Sequence, residues 1–435
     1  MNNLSPIVIK IIYIVIAVIL INLIFFKMGW IRTLKISKEF ATFQQWKDSW
    51  GPMDSALKYL QNKEDNKEPI YADVFFRKQF KFQYPLTSLM VSYGVSAISN
   101  DYIKIIKFIT WLSILATALF VILIFHHGGG MRLGFNLNSL LAFASLGILT
   151  LLFYPIDKAH SLGQIQAWIN FMFCALFYCW LRNWQAPSGI LLGLMCLINP
   201  QYGLIALWGI LRAKWKFIAY FLVALGLGAV LSILLFGFEN NLNYFSVLSY
   251  LSHHGEAFYP NQSMNGLLNR LLFNTPILEF SRRLFPPYNP VIYYGYLLFG
   301  ISLVLLAFIL PKISKKEGTI WDLAIISVAA TMFSPIAWEH HYGILLPIYV
   351  SVFTYLYNKK TAFPCLFILG ISYFLSSNFI PILNKLAYFQ YWNILVFYLF
   401  IGLCCFLLFC VDCCLISGSM ILMNPQTRRG NERYP

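Results

Sequence analysis

Apolar stretches recur along the whole chain, at roughly 7–26, 103–125, 137–154, 164–181, 187–199, 202–212, 216–237, 290–311, 320–337, 342–357, 362–380 and 392–415. At a rise of about 1.5 Å per residue the longer ones cross a hydrocarbon core of about 30 Å. The pattern therefore predicts an all-α, polytopic transmembrane helical bundle of about twelve spans. The first stretch lacks a short apolar region followed by a small-residue cleavage site, so it reads as a retained helix. Stretches 187–199 and 202–212 are short, with Asn199-Pro200-Gln201 between them. Irregular backbone at membrane depth is tolerated where it lines a cavity. Leu86 to Ile98 is too short to cross and reads as interfacial or re-entrant. Counting it as a span would invert every later loop.

The polar connections alternate between two kinds. Arg182, Arg212-Ala213-Lys214-Trp215-Lys216, Lys312 to Lys316, Lys359-Lys360 and Arg428-Arg429 are short basic clusters. The other connections carry Asp54, Asp73, Asp157-Lys158-Ala159-His160, His253-His254-Gly255-Glu256 and Glu339-His340-His341. Basic loops stay cytoplasmic, while long loops translocate largely regardless of charge. With a cytoplasmic N-terminus, the acid and histidine loops all fall on the outer face. The expected organisation is one membrane domain, 1–423, with a first outer loop at 27–102 and a large outer loop at 238–289. A disordered cytoplasmic tail, 424–435, follows.

Composition agrees: 59% of residues are hydrophobic, 11% charged, and mean hydropathy is +0.66. Soluble chains average about 45–50% apolar and about 25% charged. The net charge of +15 is split among helix ends rather than gathered in a stripe, which argues against nucleic acid. All nine cysteines sit in apolar stretches or at their ends, so no disulfide framework is expected. Cys410-Val-Asp-Cys413-Cys414 has metal-like spacing but no His or second Cys pair nearby to complete a site.

Several polar groups at the outer mouth could carry chemistry. In the first loop, Lys35 to Leu60 is predicted helical. A carboxylate here, such as Asp54, can act as a general base on an acceptor hydroxyl, or be only a helix-start residue. Asp73 follows, and Tyr84-Pro85-Leu86 leads back to the membrane. Ser161-Leu-Gly163-Gln164-Ile-Gln166 opens a span. Gln164 could hydrogen-bond a sugar, or the segment could be a capped helix start. Asn261-Gln262-Ser263 and Arg270 lie in the large outer loop. Arg270, Arg282 and Arg283 suit bidentate phosphate binding, with lipid-headgroup anchoring the rival account for the last two. Asn261-Gln-Ser263 also matches a glycosylation sequon. Glu339-His340-His341 sits so close to the bilayer core that a functional role is the default reading. Adjacent histidines on a helix point about 100° apart, so one faces a pocket while the other packs or caps. No cofactor is called for, although Glu339 and the two histidines leave a divalent metal open. His126 to Arg132 reads as a flexible cytoplasmic loop.

Taken in order, Tyr84-Pro85-Leu86, Gly163-Gln164, Gly189-Ile-Leu-Leu-Gly193 through Asn199-Pro200-Gln201, and Ser334-Pro335 with Trp338-Glu339-His340-His341 resemble glycosyltransferase family 87. The likeness runs from Asp54 to about Tyr342. Two departures are visible: Asn199 stands where the family often has lysine, and a second proline after Tyr84 is missing. The resemblance implies a type C glycosyltransferase fold in a bacterial inner membrane, with the site on the extracytoplasmic face. It implies transfer of a sugar, mannose first, from a polyprenyl-phosphate donor to a lipid or glycan acceptor, with inversion. It also implies an aspartate base in the first outer loop. Asp54 matches that position best, Asp73 second and Asp48 third. His340 would assist near the donor phosphate. Asp73, Tyr84, Gln164, Asn199, Gln201, Asn261, Gln262, Arg270, Glu339 and His341 would line the substrate site. The rival reading, a transporter or lipid flippase, calls for midplane charges and repeat symmetry. The stretches hold almost no acids and no repeat is visible.

Overall fold

The structure is a computed structural model that describes residues 4–62, 68–130, 134, 136–272, 280–281, 285–313, 320–358, 363–381, 386, 389–396, 398 and 402. Arg282, Arg283, the basic residues 314–316, 359–360 and 428–429, Cys410 to Cys414 and the tail 424–435 lie outside the described residues. Every regular element among the described residues is helical, apart from an isolated antiparallel bridge between Asn261 and Trp338. In chain order the helices are α1 (Pro6–Lys27), α2 (Arg32–Ala41), α3 (Trp50–Gln61), α4 (Met90–Ser96), α5 (Tyr102–His127) and α6 (Leu137–Leu151). They continue with α7 (Tyr154–Leu162), α8 (Gln166–Leu181), α9 (Gln185–Ile198), α10 (Gly203–Leu211), α11 (Trp215–Phe236) and α12 (Phe238–His254). Then come α13 (Met264–Leu272), α14 (Pro290–Ile313), α15 (Ile320–Phe333), α16 (Leu345–Asn358), α17 (Phe363–Ser377) and a last short helix, Asn393–Val396.

Helices α1, α5, α11 and the Pro290–Ile309 part of α14 are each long and apolar enough to cross a membrane. Shorter apolar helices stand beside them: α8, α9, Trp321–Phe333 and Pro364–Ser377. The predicted stretch at 137–154 ends early, because α6 breaks at Leu152 and α7 leaves it at 59°. Stretch 392–415 falls almost wholly outside the described residues. Leu222, Leu227 and Leu234 on α11 are 56%, 68% and 77% exposed to the surroundings. An apolar face that open is costly in water and favourable against lipid. The chain is a multi-pass membrane protein.

Leu86 to Ile98 folds as a 3₁₀ turn, Leu86–Leu89, followed by α4, whose 7 residues rise only about 10 Å. It is too short to span, as expected. Gly189 and Gly193 are packing residues: a Cβ at either would come within 2.2 Å of Phe217 O or 2.7 Å of Ala224 Cβ on α11. Small residues four apart let α9 and α11 backbones approach closely.

Arg212 corrects one reading. It belongs to one of the short basic connections, yet its side chain is 2% exposed and its Nε lies 2.8 Å from Asp322 Oδ2. Its Nη2 also donates to Ala307 O and Phe308 O, so one guanidinium ties α10 to α14 and α15. Burial is tolerated because the carboxylate and the carbonyls replace the lost hydration.

Two long segments cover one end of the bundle. The first, between α1 and α5, is not a continuous helix over 35–60, because α2 ends at Ala41 and α3 begins at Trp50. Residues 46–49 lie between them instead, with Asp48 and Ser49 in a turn that leads into α3. Trp46 N, Asp48 N and Ser49 N donate to Ser161 O, Leu162 O and Gly163 O, at 2.9, 3.0 and 3.3 Å. Those external acceptors satisfy backbone groups that a helix would have used internally. The second segment, between α11 and α14, contains α12 and α13. Lys81 Nζ meets Glu256 Oε2 at 2.7 Å, under the rings of Phe280 and Phe285. Arg32 Nη1 donates to Tyr259 OH at 3.1 Å, and Tyr244 OH to Gln83 O at 3.2 Å. The two segments are thereby fastened to each other.

Candidate active site

Helix α7 is the hub. It packs against α2, the start of α8 and the 3₁₀ turn Glu339–Ile344. Its C-terminus is set by Gly163, whose φ of +67° is left-handed and whose added Cβ would lie 2.3 Å from Trp46 O. Glycine satisfies both demands, the helix stop and the close approach of residues 46–49.

That approach assembles a polar cluster. Ser49 Oγ donates to Gln164 Oε1 at 2.6 Å and lies 2.9 Å from Tyr84 OH. Tyr84 OH donates to the same Oε1 at 3.0 Å. With its oxygen held twice, the Gln164 amide can turn only its nitrogen outward, and Nε2 donates to Asp48 Oδ2 at 2.5 Å. Ser49 and Gln164 are buried while Asp48 is exposed. Burial pushes the Tyr84 phenol pKa up, so it stays a neutral donor. The result is an oriented, accessible carboxylate on a rigid base.

The other first-segment aspartates are engaged differently. Asp54 lies in the second turn of α3, not at its start. It pairs with Lys58 Nζ at 2.8 Å and accepts from Tyr102 OH. Asp73 is fully buried in the π-helical turn Ala72–Arg77, between Arg77 and Lys78 Nζ, the latter at 2.6 Å. Neither shares the Gln164 cluster.

On another side of α7, Tyr154 OH donates to Glu339 Oε2 at 2.8 Å. His340 and His341 follow on a 3₁₀ turn, with their rings 4.9 Å apart and edge to face. His341 Nδ1 accepts from Trp338 N at 3.2 Å, so it is the histidine that caps. His340 Nε2 is buried without a hydrogen-bond partner, while its carbonyl accepts from Asn170 Nδ2 at 3.3 Å. Burial lowers both imidazoles, His341 to about 3, so they stay neutral near pH 7. Asn170 continues through Gln166 to Tyr202, beside the α9–α10 break. Gln201 hydrogen-bonds Tyr202 there, and Asn199 ends α9 half-buried.

Asn261, Gln262 and Arg270 are buried, and their hydrogen bonds hold the loop in place. Asn261 Nδ2 donates to Glu256 O and Pro335 O, and its Oδ1 accepts from Ala337 N at 2.8 Å. Gln262 N donates to Ala337 O, and its own carbonyl accepts from Tyr342 OH at 2.5 Å. Arg270 is fully buried and donates to Asn261 O at 2.8 Å, with burial lowering its pKa. The sequon at Asn261 is inaccessible in the folded chain, since all three residues are 0% exposed. Among the described residues no group of three or more His, Cys, Asp or Glu could hold a metal ion.

Arg32, Ser49, Tyr154 and Asn170 were not marked from sequence, and Lys158 and Gln166 were marked only within their motifs, without a role. Lys158, a lysine inside Tyr154-Pro-Ile-Asp-Lys-Ala-His160, was the one with a visible signal. A charge amid residues destined for burial is costly unless used.

We expect Gly163→Ala to lower stability by about 1–3 kcal/mol, read by thermal unfolding in detergent. It should cost more activity than that loss implies, because residues 46–49 must shift away from Gln164.

The glycosyltransferase family 87 model matches residues 82–335, more than half of the 435-residue chain. Comparison with curated proteins and with solved structures gave no match. The matched region holds Tyr84, α7, Gly163-Gln164, the α9–α10 break and the Asn261 loop, and it ends just before Glu339-His340-His341. The chain belongs to glycosyltransferase family 87, and is a membrane glycosyltransferase acting on a sugar donor and an acceptor.

Proposed function

We propose that this enzyme transfers a single sugar, mannose first among candidates, from a polyprenyl-phosphate donor to a lipid or glycan acceptor. The reading places the reaction on the outer face of a bacterial inner membrane, in a type C glycosyltransferase bundle of about twelve spans. The observation that carries it is the exposed Asp48 carboxylate, fixed by Gln164 where the first long segment meets α7. An acceptor hydroxyl has to lose a proton as it attacks, and an oriented carboxylate can take it. This favours Asp48 as the base over Asp54, which is held by Lys58 and Tyr102.

A direct displacement inverts the anomeric centre, so a β-linked donor would give an α product. The transition state carries oxocarbenium character at the sugar and growing charge on the departing phosphate. Neutral His340, with its buried and unpartnered Nε2, suits a role as a hydrogen-bond donor near that oxygen. Fixed polar groups aimed at developing charge supply a large share of catalysis. A lipid-borne donor also fits a chain whose long apolar helices present open faces to the bilayer.

The test is transfer by purified protein from a radiolabelled polyprenyl-phosphate mannose to mixed envelope lipids and glycans. The expected result is a labelled product that is not formed from a nucleotide-sugar donor. Transfer from the nucleotide sugar alone would overturn the donor assignment. Polyprenyl-phosphate pentoses run in parallel decide between hexosyl and pentosyl transfer.

A further inference from the structure

Lys158 is an unusual charge. It sits on α7, beyond the 59° bend that separates this helix from α6, and only 7% of it is exposed. Among the described residues no hydrogen bond or ion pair holds it. Three other cations of the interior have partners: Arg212 has Asp322, Lys81 has Glu256 and Arg270 has Asn261 O. A second cation stands within electrostatic reach of Lys158. This is Arg32, which donates to Tyr259 OH and lies over the Phe379 ring at 4.4 Å. Nearby Glu339 accepts from Tyr154 through Oε2, while its Oε1 is buried without a hydrogen-bond partner, and its charge favours both cations. Asp48, Glu39 and His340 complete the charged and titratable neighbours. Burial first, and then Arg32, lowers the lysine to about 8. A buried ammonium beside a guanidinium, with no carboxylate bonded to either, is a site missing its anion.

We propose that Lys158, seconded by Arg32, binds the phosphate of the lipid donor and acts as a catalytic residue by stabilising it as the leaving group. This rests on the polyprenyl-phosphate reading above. In the reaction the anomeric carbon–oxygen bond to phosphate breaks and its electron pair stays on the phosphate oxygen. The acceptor oxygen forms the new bond, and its proton goes to Asp48. The lipid phosphate thus passes from a diester with one negative charge toward a monoester with two. A cation beside it binds the departing state more tightly than the ground state, which is the condition for lowering the barrier. Lys158 is also placed suitably along the chain. Five residues of helix and turn separate it from Gln164, the residue that holds the base, so α7 would set both ends of the displacement.

The experiment compares binding of a polyprenyl phosphate with binding of the polyprenol of the same length, by native mass spectrometry on the full chain. Wild type, Lys158→Met, Lys158→Gln, Lys158→Arg and Arg32→Gln are run together, each with its thermal unfolding curve. The wild type should prefer the phosphate by about 10- to 100-fold, as charge-assisted hydrogen bonds imply. Lys158→Met and Lys158→Gln should lose most of that preference while still binding the alcohol, and Lys158→Arg should keep much of it. Arg32→Gln gives the same test from the half-buried member of the pair if both neutral Lys158 variants fail to fold. Its preference should fall as well. An undiminished preference in any folded neutral Lys158 variant, or in Arg32→Gln when it alone is scored, overturns the assignment and leaves the donor class standing. A wild type with no preference overturns the donor class instead.

Discussion

Asp48→Asn lowers kcat by about 100-fold or more, the usual worth of a positioned general base, and leaves donor affinity little changed. Asparagine keeps the size of the side chain and can still sit against Gln164, so the loss is one of basicity rather than fold. Asp54→Asn is the matched control. It removes a charge bonded to Lys58 and Tyr102 on the partly exposed surface of α3, and kcat should stay within about threefold. Single-turnover transfer from labelled donor, with thermal unfolding of each variant, separates the two. If Asp54→Asn is the inactive variant and Asp48→Asn transfers normally, the base has been assigned to the wrong aspartate. Gln164→Leu should fall between them, because it leaves the carboxylate but removes the amide that orients it.

Arg212→Met costs about 3–5 kcal/mol of stability, the expected penalty for leaving a buried carboxylate unpaired. Asp322 is 0% exposed, and its partner on α10 is the group that compensates it. The double variant Arg212→Met/Asp322→Leu should recover much of that loss, since neither charge then needs a partner. Thermal unfolding of the two single variants and the double variant gives the coupling directly. Additive effects would mean that the pair contributes nothing as a pair. The contrast with Lys158 is informative. Arg212 is buried and satisfied, so its removal is read in stability, whereas removal of Lys158 should be read in ligand preference.

Much of the bundle was legible in the sequence because length and apolarity are one-dimensional properties. Stretches 7–26, 103–125 and 216–237 reappear as α1, α5 and α11 within a few residues. The short Leu86 to Ile98 element was legible for the same reason: too few residues to cross. Boundaries failed where tertiary partners replaced helical hydrogen bonds. Residues 42–49 break the expected 35–60 helix because Ser161, Leu162 and Gly163 offer external carbonyls. The predicted 137–154 stretch gives way to α7 at a 59° bend.

The candidate site was legible in its motifs and less so in its roles. Gly163-Gln164 and Tyr84 were marked as separate motifs, and the fold brings Tyr84 to Gln164. Of the adjacent histidines, His341 caps Trp338 N, and His340 Nε2 is buried without a hydrogen-bond partner. Asn261, Gln262 and Arg270 carried the right residue types for a ligand, but burial shows them holding the loop to the Pro335–Trp338 segment. Polarity alone does not say whether a donor will face a substrate or a backbone carbonyl.

By itself the sequence determined a membrane-embedded helical chain of a particular glycosyltransferase family, with its polar chemistry confined to a few connections. Those follow from composition and order, which no folding step changes. Only the tertiary structure decided which of three aspartates is oriented by Gln164, and that Lys158 is buried without a hydrogen bond or ion pair among the described residues. Both depend on distances between residues more than 100 positions apart, such as Asp48 to Gln164. No local periodicity encodes such distances, because they are fixed by how α2, α7 and the Glu339–Ile344 turn pack together.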